Sequence, residues 1–98
     1  MTQQIRITPQ QMHDRSKEVH MKRDQYTDLI AQMDRIIAVL QTEWEGKASD
    51  SFRDQFNSLQ PSFESMKNLL DALGNQLRET GDALLDIDQA IASKFTVS

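Results

Sequence analysis

Two histidines, an acidic cluster and a single tryptophan are the residues in this sequence that chemistry or recognition would use first. His13 and His20 are seven residues apart, two helical turns or roughly 10 Å along an axis. A zinc pair on a helix takes histidines four apart, as in H-E-x-x-H, so this spacing favours a solvated helix flank over metal ligation. Asp82 and Asp86 share a helix face beside Asp88. No loop of oxygen ligands accompanies them, so a solvated or partner-facing acidic end is preferred to a divalent-cation site. With no cysteine, thiolate metal sites, disulfides and a cysteine nucleophile are excluded. There is no glycine-rich phosphate loop, no G-x-S-x-G elbow and no serine with an evident base. The expectation is a protein that is not an enzyme and holds no cofactor or metal. What remains is Trp44-Glu45-Gly46, a W-x-G triplet whose meaning depends on the elements around it.

Those elements are helices. The sequence has three glycines and two prolines in 98 residues and almost no β-branched runs. Ile7-Thr8-Pro9-Gln10-Gln11 is a helix start: Thr8 caps, Pro9 occupies the first helical position, and Gln11 completes a capping box. A seven-residue repeat then runs through Met12, Val19, Tyr26, Met33 and Leu40, with Ser16, Arg23, Ile30, Ile37 and Trp44 four residues after each. Ser16 and Arg23 weaken its first turns. This predicts helix 1 over about 9–43 and a turn at 44–46, with Gly46 supplying a backbone conformation that ends one helix and starts the next.

A second repeat follows at once: Phe52, Leu59, Met66, Leu73, Thr80 and Ile87, with Phe56, Phe63, Leu70, Leu77, Leu84 and Ile91 four residues on. It predicts helix 2 over about 48–92, with a kink or a short break near Pro61, and a flexible tail over 93–98. Gly74 and Gly81, seven apart on the flank of this stripe, suit either close helix approach at a subunit contact or local tolerance in a well-packed helix.

Two long helices joined by a short turn lie antiparallel. The fold class is therefore all-α, a helix-turn-helix hairpin in one domain. The hairpin alone leaves Leu29, Ile36, Val39 and Leu69 wet. Pairing two hairpins into a four-helix-bundle dimer buries them. Core and dimer packing are assigned to Leu29, Ile30, Met33, Ile36, Ile37 and Leu40 of helix 1. Helix 2 contributes Phe52, Phe56, Leu59, Phe63, Met66, Leu70, Leu73 and Leu77.

Composition excludes several partners. Net charge is −4, with the acidic excess confined to residues 48–98, and no Lys/Arg cluster suits phosphate backbones. No apolar run approaches the roughly 18–20 residues of a membrane span, and the N-terminal residues lack the pattern of a cleaved signal peptide. The apolar faces follow heptad spacing and the polar faces are not lysine-rich, which favours partner helices over a membrane surface.

A chain of this length with two heptad-patterned helices and W-x-G in the connecting turn resembles the WXG family of small Esx, ESAT-like substrates of type VII secretion. The resemblance extends to Ile5-Arg6-Ile7-Thr8-Pro9, Phe52 with Phe56, Leu59-Gln60-Pro61 and Asp88-Gln89-Ala90-Ile91-Ala92. It is greatest to the homodimeric branch of low-GC Gram-positive bacteria. The resemblance implies a non-enzymatic, virulence-type effector or an adaptor for co-secreted proteins. Such a protein is exported from the cytoplasm as a folded dimer by a membrane ATPase machine, without a cleaved signal peptide. It also implies that Trp44 and Gly46 form half of an export signal, whose other half is an aromatic residue followed four positions later by an acid. This sequence departs there: Phe95 is followed only by Thr96, Val97 and Ser98, and the nearest match is Leu84 with Asp88. The departure keeps a heterodimer open beside the homodimer, with a related WXG-type chain or the helical N-terminal domain of a larger toxin. The competing class is a cytosolic coiled-coil adaptor with no role in secretion, because the same heptads serve any helical partner.

Overall fold

The computed structural model describes residues 7–44 and 46–96, with side chains through Lys94. Ile5, Arg6, Glu45, Val97 and Ser98, and the side chains of Phe95 and Thr96, lie outside the described residues. Three helices follow one another: α1 (Pro9–Glu43), α2 (Lys47–Ser58) and α3 (Gln60–Thr96).

The start of α1 follows from its capping box. The Gln11 backbone N–H donates to Thr8 Oγ1 at 3.1 Å, and the Thr8 N–H donates to Gln11 Oε1 at 3.0 Å. Two donors that a helix start leaves unpaired are thereby satisfied, and Pro9 has no N–H to satisfy. At the other end the Trp44 N–H donates to the Leu40 carbonyl at 2.9 Å.

Of the kink and the short break open near Pro61, the second half of the chain forms the break. The helical ladder breaks at Leu59, whose N–H donates to the Phe56 carbonyl at 3.1 Å, and α3 starts at Gln60. Pro61 is the cause: it has no N–H to offer the preceding turn, and its ring crowds the carbonyl four residues back, so it is tolerated only in the first turn of a new helix. The apolar phase survives the break, since the Phe56 and Phe63 rings meet across it at 5.4 Å. The helix end also moves. α3 continues to Thr96, so residues 93–96 are helical where a flexible tail was expected from 93. No glycine or proline follows Gly81, and Lys94 in the last turn favours the helix dipole.

α3 runs antiparallel along α1, and α2 caps the turn end. The molecule is a rod of 80 × 30 × 18 Å with a radius of gyration of 22.2 Å. A compact domain of this length would have roughly 13 Å. Its interior is correspondingly thin. Among the described residues the only buried apolar side chains are Ile37 and Phe56, both in the half nearer the turn. Arg53 fastens α2 to α1 there, through Gln41 Oε1 at 3.1 Å, Asp34 Oδ1 at 2.5 Å and the Asp34 carbonyl at 3.2 Å. Its guanidinium also lies 5.8 Å from the Phe56 ring.

Candidate functional site

The turn is built around one backbone conformation. Gly46 has φ +150° and ψ 175°, a region essentially closed to residues with a Cβ. A methyl group there would meet nothing within 4 Å, so the requirement for glycine is one of backbone and not of space. The buried Ser49 hydroxyl donates to the Gly46 carbonyl at 2.9 Å, and Asp50 in the first turn of α2 favours its dipole. The tightness of this reversal projects Trp44 outward. Its side chain is 50% exposed, with its ring 6.4 Å from that of Phe52, itself 47% exposed. The turn therefore presents an aromatic pair to the exterior.

An apolar face continues from it. Leu29, Met33, Ile36 and Val39 of α1 are exposed, as are Leu59, Met66, Leu69 and Leu73 at and beyond the α2–α3 junction. Ile30, Leu40, Phe63, Leu70 and Leu77 are half-buried between the helices. Monomeric soluble proteins seldom leave a contiguous face of this kind in water.

The far half of the hairpin is held differently. His13 and His20, expected on a solvated flank, are half-buried against α3. Each lies over a glycine: a methyl group at Gly81 would sit 2.7 Å from His13 Cδ2, and one at Gly74 would overlap the His20 imidazole. Gly74 and Gly81 thus provide close approach within one chain. His13 Nε2 hydrogen-bonds Asp82 Oδ1 at 2.8 Å, and His20 Nε2 faces the Asp71 carbonyl at 3.3 Å. Ser16, expected to weaken the stripe, is buried and donates to the Gly74 carbonyl at 2.7 Å. The Arg23 guanidinium pairs with Asp71 and with Asp24, and these bonds hold its pKa above the ordinary arginine value. Each neutral bond contributes about 1 kcal/mol net, and each glycine costs α3 about 1 kcal/mol of helix propensity. The equal spacing of the two histidines and the two glycines was the available signal for this seam. It is informative only once the helices are known to face each other in this register.

Leu84 is half-buried near the start of α1, and Asp88 is exposed beyond it. Since His13 meets Asp82 while Trp44 ends α1, the two halves of the expected signal stand at opposite ends of one chain, roughly 50 Å apart. The fold does not bring them together within a protomer. Among the described residues no three His, Asp or Glu side chains converge in a way that would hold a metal ion. Among them, too, no helix is long and apolar enough to cross a membrane.

The chain as a whole has counterparts among known proteins. Residues 4–89 match the WXG100 family, described as proteins of 100 residues with WXG. The chain belongs to this family. Among its relatives, protein YukE of Bacillus subtilis is 33% identical over 91 residues, 93% of this chain and 94% of that one. The type VII secretion system extracellular protein A of Staphylococcus aureus is 29% identical over the same shares. EsxA of Geobacillus thermodenitrificans superposes with a TM-score of 0.82 at 38% identity, covering 94% of this chain and 99% of that one. The secreted protein EsxB of Bacillus anthracis superposes at 0.78 with 18% identity, covering 89% and 99%, a likeness of fold alone. The helical hairpin is thus shared with EsxA over nearly the whole of both chains.

Proposed function

We propose that this protein is a substrate of a type VII secretion system, exported from the cytoplasm as a folded, non-enzymatic homodimer without a cleaved signal peptide. The observation that carries the reading is the conjunction of an exposed Trp44 over a glycine-only turn with an exposed apolar face along the same rod. An antiparallel second copy laid on Leu29, Ile36, Leu69 and Leu73 buries that face into a four-helix bundle. The same arrangement carries the partner's Trp44 toward Leu84 and Asp88, which stand at the far end of each protomer. The similarity to a type VII secretion system extracellular protein supports export. The receptor implied is the secretion ATPase, and the role outside the cell is that of a virulence-type effector or an adaptor for co-secreted partners.

A second reading has its own support. Leu84 is aliphatic where the family's signal has an aromatic ring, which suits a heterodimer whose other chain supplies that ring, whether a related WXG-type protein or the helical N-terminus of a larger toxin. Two measurements decide. Light scattering of the pure protein at micromolar concentration is expected to give twice the 11.3 kDa chain mass; a stable monomer rejects the homodimer. Trp44→Ala is expected to remain helical yet disappear from the culture medium of a host carrying the secretion machine. Unchanged export rejects a role for the turn, and wild-type protein retained in the cytoplasm leaves the adaptor class standing.

A further inference from the structure

The rod is stabilised by unlike means in its two halves. Near the turn, Ile37 and Phe56 are buried and Arg53 ties α2 to α1. Away from it, the side chain buried at the centre of the seam is Ser16, the apolar side chains Met12 and Val19 are only half-buried, and the hydrogen bonds that cross are His13 to Asp82, Ser16 to the Gly74 carbonyl, His20 to the Asp71 carbonyl and Arg23 to Asp71. Water can replace the carboxylate bonds among these, because the Asp82 and Asp71 side chains are 61% and 46% exposed, whereas the Ser16–Gly74 bond is buried. Gly74 and Gly81 each weaken α3 and are compensated only while an imidazole fills the notch above them.

The pairs are also geared together. A step of seven from His13 to His20 is matched by the step from Gly81 back to Gly74, and the step of three to Arg23 by the step to Asp71. Polar contacts set at matched intervals along one contiguous helical segment open together as a cooperative local unit. Freed of α3, a segment of about fifteen residues is marginal as a helix in water, so a released arm does not persist as one.

We infer that residues 9–23 form an arm that detaches from α3 as a unit, hinged between Arg23 and Ile30, while the turn half stays closed. Detachment uncovers Leu77 and Leu84, which α1 half-buries, and joins them to Leu85, Ile87 and Ile91, already exposed. The C-terminal third of α3 then presents one extended apolar surface. The inference stands on the seam and does not depend on export; under the reading above, the arm also controls access to Leu84.

Distances between spin labels test it on the full chain, with doubly labelled protein diluted into an excess of unlabelled protein so that only distances within one protomer are read. Labels at Asp14→Cys and Ala83→Cys report the arm; labels at Ala38→Cys and Asn57→Cys report the turn half. The arm pair is expected to show a second, longer distance that the turn pair lacks. Gly81→Ala is expected to raise the open population at least threefold, and His13→Ala in the same chain to return it toward the wild-type value by emptying the notch. Alanine favours helix over glycine, so these variants retain α3. Single narrow distances for both pairs in wild type and Gly81→Ala overturn the inference. So does an open population that Gly81→Ala leaves unchanged, or parallel opening of both pairs. Hydrogen exchange adds a check: amides of 9–23 are expected to exchange at least tenfold faster than those of 30–40, and equal protection counts against the arm.

Discussion

The His13 imidazole occupies the space that a side chain at position 81 would need. A Cβ on Gly81 would lie 2.7 Å from His13 Cδ2 and 2.8 Å from Nε2, and the Nε2 that fills this notch is the atom bonded to Asp82. Histidine and glycine form one fitted pair across two helices, repeated seven residues on by His20 and Gly74.

The pair predicts a non-additive stability change. Gly81→Ala gains helix propensity but displaces His13 and its bond to Asp82, for a net loss of about 1–2 kcal/mol. In the His13→Ala background the same substitution is expected to be neutral or stabilising. Urea denaturation of the four proteins of the cycle measures a coupling of at least about 1 kcal/mol; additive effects would show that the two residues are not fitted to each other.

At the turn, Gly46→Ala places a Cβ on a backbone at φ +150° with free space around it. The expected loss is about 1–3 kcal/mol, all of it backbone strain. D-alanine introduced by chemical ligation adopts positive φ without strain and should restore the wild-type thermal midpoint. Equal losses for both enantiomers would mean that conformation is not the reason for glycine.

Two aromatic truncations should separate packing from presentation. Phe56 is 6% exposed, and Phe56→Ala is expected to cost about 3–5 kcal/mol. Trp44 is 50% exposed, and Trp44→Ala should cost less than about 1 kcal/mol in thermal or denaturant unfolding. A large loss at Trp44 would reassign it to the core.

On the apolar face, Ile36 and Leu69 are each 60% exposed in one chain. Leu69→Asp places a charge twice in the proposed dimer seam, at roughly 2–4 kcal/mol per copy. Light scattering is then expected to fall to the 11.3 kDa protomer while circular dichroism stays helical. A dimer that survives both Ile36→Asp and Leu69→Asp would place the interface elsewhere.

Much of this molecule was readable from local rules. Thr8, Pro9 and Gln11 define a helix start by chemistry confined to four residues, and the structure forms both of their hydrogen bonds. Gly46 was legible because a turn between two long helices needs a conformation that other residues avoid. Pro61 announced a disturbance, although whether a missing N–H bends a helix or divides it depends on what packs across the gap, and here α3 begins anew at Gln60.

The sequence by itself determined the helices, their antiparallel pairing and the stripes they share, because caps, turns and heptad spacing act between residues close in the chain. Only the tertiary structure decided what the polar interruptions in those stripes do. Ser16 and Arg23 look like a weak start to helix 1, and His13 and His20 like a solvated flank, until α3 is laid beside them, and Gly74 and Gly81 suit close approach or mere tolerance equally until α1 is. The physical reason is register: a side chain's fit is set by the residue facing it some sixty positions away, which no local propensity encodes. The exposed apolar face stands one level higher again, since no described residue of the same chain covers it.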